Sequence, residues 1–324
     1  MSVPPPPSTE AVIICTRNRP DDLSRTLQSV AAQAGAADRF VLVVDASAPS
    51  VKRTNKATVK GLGTPRWTHL SYNASPSLTR QRNWGIARLP EDVEIVHFLD
   101  DDVELRPNYF RILARALHDN EKVGGVGGIT YEDPAPLSSP SLAHRLFLLE
   151  GPPGKVLPSG HVTSPQRLSQ SSSAPDAPIA TSFLSGCSSS YSREVLRDMQ
   201  FDPSLNRHSF LEDLDFSYRV SQSHDLLMIP EAALQHHRSP QNRTSTAEHA
   251  EALVIHRYWF VCKHDLSRSA FWWSVVGQFL ARLQSSAPHT HAALRGLLRG
   301  IRRTWAGDTP GRNPLSPPSS SATC

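Results

Sequence analysis

Three short, unbroken apolar runs limit what this chain can fold into: Ala11–Cys15 (AVIIC), Phe40–Val44 (FVLVV) and Glu94–Leu99 (EIVHFL). Each breaks abruptly into polar residues, at Thr16-Arg17-Asn18-Arg19-Pro20, at Asp45 and at Asp100-Asp101-Asp102. Helical patterns lie between and after them: Leu23, Leu27 and Val30 at spacings of four and three, then Thr79–Arg88 and Tyr109–Leu117. Unbroken apolar strands alternating with amphipathic helices predict an α/β fold, a mostly parallel sheet flanked by helices. Ligands of such sheets bind at the carboxyl ends of the strands. All three runs carry their polar and charged residues at that edge.

Proline marks the boundaries. The 27 prolines among 324 residues gather at Pro4–Pro7, between Pro134 and Pro178, and at Pro310–Pro318. This divides the chain into a Pro-rich leader (1–9), one domain (10–240) interrupted by a Ser/Pro-rich insertion (134–178), a helical C-terminal extension (241–308) and a tail (309–324). The insertion carries a helical pattern at Leu142–Leu149 and reads as a lid or an unstructured loop beside the site. After it come helices at Arg193–Met199 and Leu211–Ser221, a strand at Leu226–Ile229, a helix at Ala247–Lys263 and two more helical patterns in the last 60 residues.

A net charge of +4 over this length gives no footprint for nucleic acid. The charge is uneven, however: Arg282 to Arg312 hold six arginines against one acid, Asp308. Four dispersed cysteines without a CxxC pair argue against a disulfide framework or a zinc site and for a reducing compartment. The opening MSVPPPPSTE lacks a charged-then-apolar layout, and no apolar run reaches the ~20 residues that span a bilayer, so the chain reads as cytoplasmic. Near the end, Leu294, Leu297, Leu298, Ile301 and Trp305 fall on one helical face, with Arg295, Arg299, Arg302 and Arg303 on its flank and back. Phe271–Leu280 before it is short, apolar and aromatic. Two readings stand: residues 271–305 contact the inner face of a membrane peripherally, or they form ordinary helices docked on the domain.

Three constellations carry chemistry. In the aspartate triplet, alternate residues of an extended chain point the same way, so Asp100 and Asp102 converge while Asp101 turns aside. Hard carboxylate oxygens suit Mg²⁺ or Mn²⁺ bound with a diphosphate; a solvated turn capping a helix would carry the same triplet. Glu212-Asp213 sits at the start of an apolar helical pattern, where two acids also complement a helix dipole. His236-His237 follows the last strand.

In this order and spacing the pieces resemble family 2 glycosyltransferases of the GT-A fold. The matching segments are VIICTRNRPDDL (12–23), VLVVDAS (41–47), LTRQRNWGI (78–86), HFLDDDVEL (97–105), FLSGCSSSYSREVL (183–196), FDPSLNRHSFLEDLDFSYRV (201–220) and ALQHHRSP (233–240). The resemblance covers roughly residues 10–265. It implies a Rossmann-like GT-A domain with Thr16, Arg17 and Asp45 at the nucleoside edge and Arg82 near base and phosphates. Asp100 and Asp102 resemble the DxD pair, the first near the ribose and the second on a metal; Asp101, between them, falls within the same sugar-nucleotide motif. Asp213 is similar to the general base, with Glu212 holding the acceptor site, and His236 rather than His237 to the late metal ligand. One departure stands out: the family often has two acids after the second strand, and here Ala46 follows Asp45.

The activity so implied is transfer of a hexosyl or deoxyhexosyl group, with inversion and help from Mn²⁺ or Mg²⁺. The donor is a nucleotide-diphosphate sugar, UDP- or dTDP-linked, and the acceptor a hydroxyl of a glycan or lipid-linked glycan. A metal-dependent phosphohydrolase or nucleotidyltransferase built on the triplet, and a sugar-nucleotide-binding module whose catalytic site has decayed, are the alternatives. Gly186 reads as a close backbone approach to the acceptor or a plain turn, and Cys187 as a small packed residue.

Overall fold

The computed structural model describes residues 9–132, 142–163, 177–205, 210–239, 244–284 and 289–310. The leader, the tail beyond 310 and much of the Ser/Pro-rich stretch lie outside the described residues.

The elements run β1 (Glu10–Thr16), α1 (Pro20–Ala31), β2 (Phe40–Asp45), α2 (Pro49–Leu62), β3 (Trp67–Ser71), α3 (Leu78–Ile86), β4 (Ile95–Asp100), β5 (Val103–Leu105), α4 (Tyr109–His118) and β6 (Val123–Glu132). There follow α5 (Leu142–Leu146), β7 (Ile179–Thr181), β8 (Ser188–Ser192), α6 (Arg193–Asp198), α7 (Glu212–Val220), β9 (Asp225–His236), α8 (Thr246–Lys263), α9 (Arg268–Leu283) and α10 (Thr290–Trp305). The strands form one sheet in the order β3-β2-β1-β4-β8-β6-β9-β5, with β7 paired to β9. β1 to β4 run parallel as one block, and β6 is parallel to β9; β5, β7 and β8 run against them. The sheet is thus mostly parallel, as its apolar runs predict.

Strand periodicity builds two cores. Val12, Ile14, Val41 and Val43 face α1, α2 and α4 through Leu23, Leu27, Val59 and Leu113. The alternate residues Ala11, Ile13, Leu42 and Val44 face the other layer, which contains Ile86, Leu196, Phe216 and Val220. Register aligns the strand ends: Thr16 sits opposite Asp45, and Cys15 opposite Asp100. The polar termini therefore form one continuous rim.

β9 is far longer than the four-residue strand that the sequence suggests. Pro230 does not end it, because a bulge shifts the register between Gly128/Ile129 on the parallel partner β6 and absorbs the proline. The strand continues to His236, which pairs with Val103 of β5.

The C-terminal helices form a third core around Val254, Val261, Phe271, Val275 and Leu297. Gly296 and Gly300 let α10 lie close against α8: a Cβ on Gly300 would stand 2.8 Å from the Val254 side chain, and one on Gly296 would collide with the Ala247 carbonyl. Leu297 is buried in this contact, whereas Leu298 and Trp305 are exposed. The apolar face expected on α10 is thus divided between packing and solvent. Inside the Ser/Pro-rich stretch, residues 142–163 pack on α8 and α9. The Trp273 indole donates to Leu146 O at 2.8 Å, the Phe147 and Trp273 rings lie 4.9 Å apart, and Arg257 of α8 hydrogen-bonds His161.

Candidate functional site

The acidic turn at the end of β4 owes its geometry to four neighbours. Thr16 donates to Asp101 Oδ2 at 2.6 Å, and Arg19 reaches Asp101 Oδ1 at 3.0 Å and Asp102 Oδ2 at 3.6 Å. The Ser239 amide donates to Asp102 Oδ2 at 2.8 Å, and the His237 amide to the Asp102 carbonyl at 2.9 Å. The backbone of the residues after β9 thus pins the turn.

Pairing of β5 with β9 is what brings His236 here. Asp102 immediately precedes β5, and His236 lies opposite Val103, so the histidine is carried to the acidic turn. One ligand atom each from Asp100, Asp102 and His236 falls within 4.8 Å of the others. Asp102 Oδ1 stands 3.1 Å from His236 Nε2. Two carboxylates and an imidazole converging in this way are a donor set that fits a divalent cation such as Mn²⁺. His237 turns away, its Nε2 3.3 Å from Glu104. Burial opposes charge on Asp102, but His236, the Ser239 amide and Arg19 outweigh it and hold the carboxyl at about 2.

Arg82 joins this triad to the acids of α7. It is buried, with its guanidinium 3.6 Å from Asp100, 3.5 Å from Glu212 and 3.0 Å from the Gly186 carbonyl. The Gly186 amide donates to Asp213 Oδ2 at 3.0 Å, and the Leu214 amide to Oδ1 at 2.8 Å. A Cβ on Gly186 would lie 2.7 Å from the Arg82 guanidinium, so glycine permits this approach. Leu211, just before α7, holds a left-handed φ of 65°, a strained conformation for leucine that sets where the helix starts and where its first two side chains point. Burial, reinforced by Asp213, raises Glu212 to about 8. Burial also raises Asp213, against the pull of the Gly186 amide and Arg82. Both adjacent acids therefore hold a proton more tightly than a free carboxyl does, Glu212 in part through the charge of Asp213 beside it.

The remaining sequence candidates fall into two groups. Arg17 is exposed at the end of β1. Asp45 is fully buried and accepts from the Ser47 amide at 2.8 Å, from Asn55 at 2.8 Å and from His69 at 2.9 Å. Three donors of the chain hold its carboxylate, and Thr16 and Arg19 hold that of Asp101. Thr16, Asp45 and Asp101 thus lie together at the strand-end rim, where the sequence places the nucleoside edge. Sequence reasoning missed Arg19, Asn55, His69 and Ser239 as supports. Arg19 stood in the TRNRP break, but nothing marked the polar partners on α2 and β3. Burial pushes the Cys187 thiol up to about 12, so it is a packed group beside the site and no nucleophile.

Two solved structures share this architecture. GalNAc-T7, in complex with UDP, GalNAc and Mn²⁺, aligns with a TM-score of 0.55 at 14% identity over 91% of this chain and 54% of its own. The chain thus spans about half the length of that neighbour. S. aureus TarS 1–349 aligns with a TM-score of 0.51 at 13% identity over 93% of this chain and 83% of its own. At such identities the likeness is one of fold, the GT-A architecture. No protein of curated function matches the sequence. The sequence model described as Glycosyl transferase family 2 matches residues 11–199, from β1 through the acidic turn to the end of α6. That is more than half of the chain, and on this ground the protein belongs to glycosyl transferase family 2.

Proposed function

We propose that the chain transfers a hexosyl or deoxyhexosyl group from a UDP- or dTDP-linked sugar to a hydroxyl of a glycan or lipid-linked glycan, with inversion and with a divalent metal. The observation that carries this reading is the convergence of Asp100, Asp102 and His236 with the acids of α7, joined through one buried arginine. The presence of UDP, GalNAc and Mn²⁺ in GalNAc-T7 supports the donor and metal classes.

Asp102 and His236 would hold the metal, with Asp100 between it and the ribose. When bound, the ion would offset the negative charge that develops on the departing diphosphate. Arg17 and Arg82 add fixed positive charge on the same side, and Thr16, Asp45 and Asp101 shape the floor beneath the nucleoside. Each Asp213 oxygen accepts one amide. A carboxylate oxygen has a second lone pair, so Asp213 can still take the acceptor's proton as that hydroxyl attacks the anomeric carbon. A raised proton affinity suits it to that role. Glu212, protonated, donates a hydrogen bond to the acceptor and leaves the Arg82 charge directed at Asp100 and the phosphates. One base and no nucleophile pair lead to single displacement with inversion, as at other sugar carbons.

The test is a calorimetric screen of UDP-, dTDP- and GDP-sugars with and without Mn²⁺. The reading requires Mn²⁺-dependent binding of at least one donor and its loss in Asp102→Asn; if no donor binds with metal present, it fails.

A further inference from the structure

The molecule carries one face that its catalytic reading leaves unexplained. Among the described residues, eight of the ten exposed large apolar side chains lie on three helices: Leu142 and Leu146 on α5, Trp273, Val276, Leu280 and Leu283 on α9, and Leu298 and Trp305 on α10. The α9 residues recur at spacings of three and four, so they form one stripe along the helix. Ring contacts fix the flanks of that stripe: Phe147, just after α5, lies against Trp273, and Trp272 meets Trp305 at 5.9 Å. The stripe is therefore bordered by α5 on one side and α10 on the other. On α10, the small residues Ala293, Gly296 and Gly300 are buried, while Leu298 and the 77% exposed Trp305 face outward.

Charge identifies what covers this face. The three helices contain no Asp or Glu, but carry exposed Arg145, Arg268, Arg282, Arg295, Arg299 and Arg302. The whole chain has a net charge of only +4, so its positive charge is concentrated on this one module. On α10, Arg295, Arg299 and Arg302 lie on successive turns, beside Leu298 and Trp305. A second copy of the chain would set this basic face against itself, which like-charge repulsion opposes. An apolar stripe with tryptophans and an arginine rim matches the interface of an anionic bilayer, with hydrocarbon beneath the headgroups and phosphates around them. No helix among the described residues is long and apolar enough to cross a membrane.

We infer that α5, α9 and α10 form a docking face that seats the protein on the surface of a bilayer containing anionic lipids, with the α9 stripe in the interface and the arginines on lipid phosphates. The inference does not depend on the assignment of the catalytic residues. It also relocates the contact: the apolar centre is α9 together with α5, and the buried half of α10 takes no part.

The experiment is co-sedimentation of the full chain with vesicles of phosphatidylcholine alone and of phosphatidylcholine mixed equally with phosphatidylglycerol. The expected result is partitioning to the anionic vesicles that weakens with salt. Neutralisation of three arginines (Arg295→Gln, Arg299→Gln, Arg302→Gln) should weaken it roughly a hundredfold, since each arginine near such a surface contributes about a fivefold factor. Leu280→Ser with Leu283→Ser should weaken it further, through lost apolar burial. All five positions are exposed, and an unchanged melting temperature in each variant verifies the fold. Equal partitioning to both vesicle types, no partitioning, or unchanged binding by the arginine variant overturns the inference. So does a stable dimer in sedimentation velocity that the leucine variant dissociates.

Discussion

Replacing Asp213 by Asn separates chemistry from structure at this site. The carboxylate accepts two amides, from Gly186 at 3.0 Å and from Leu214 at 2.8 Å. An amide side chain can accept only one of them and turns its NH₂ toward the other, so one buried N–H loses its partner at a cost of about 1–3 kcal/mol. Relief of a buried charge works in the opposite direction, because burial already raises the pKa of Asp213. The net change in stability is therefore about 1 kcal/mol, a fall of about 2–4 °C in melting temperature for a domain of this size. Loss of a positioned base, by contrast, reduces turnover by about 10²–10⁴-fold, or roughly 3–5 kcal/mol of barrier. The assay pairs single-turnover sugar transfer with calorimetric melting and with titration of nucleotide in Mn²⁺. Turnover within a few-fold of wild type would refute Asp213 as the base. A collapse of melting temperature and nucleotide binding together with turnover would refute the separation itself.

Other perturbations read the supporting structure. Asp215 is fully buried and accepts from Lys263 at 2.8 Å, His264 at 2.9 Å and Arg219 at 3.1 Å, tying α7 to the end of α8. Asp215→Ala leaves Lys263 and Arg219 facing a void and should cost about 3–5 kcal/mol in urea unfolding, with a strong coupling to Lys263→Met in a double-mutant cycle. At the opposite end of the sheet, burial opposes the Glu10 carboxyl, but the hydrogen bond from His97 and the Arg39 pair hold it near 2, against an ordinary 4.5. That stabilisation is complete above 4.5 and is lost as pH falls toward 2, roughly 3 kcal/mol in all, so Glu10→Gln should flatten acid unfolding over that window. Gly300→Val should push α10 away from Val254 and the Glu251 carbonyl, lowering the melting temperature of the helical extension while the sheet domain retains its own transition.

Much of the fold was legible because three strands are buried on both faces and so read as unbroken apolar runs. What escaped lacks that signal. α2 buries only Asn55 and Val59 along 14 residues, so its pattern is almost wholly polar. β6 spends four of its ten residues on glycine, where Ser188 and Ala232 carbonyls crowd the backbone, and so offers no apolar run. The sequence ends β9 at Pro230, because a bulge is invisible in a linear pattern. For the site, Asp100 and Asp102 come together as the sequence suggests, but through the turn at residues 101–102 and not through strand alternation. Which strand delivers a histidine depended on the β5–β9 ladder, a non-local pairing. The inward commitments of Asp45 and Asp101 likewise depend on His69, Asn55, Thr16 and Arg19, which are polar residues without periodicity.

The central claim is that the acidic turn and His236 form one metal-assisted nucleotide-sugar site. Anomalous diffraction at the manganese edge, from crystals of the full chain grown with UDP and Mn²⁺, tests it most directly. The account predicts one strong peak in contact with Asp102 and His236, with the UDP diphosphate on its open side and Arg82 close by. A peak elsewhere, or UDP bound at the rim with no metal between Asp102 and His236, would contradict it.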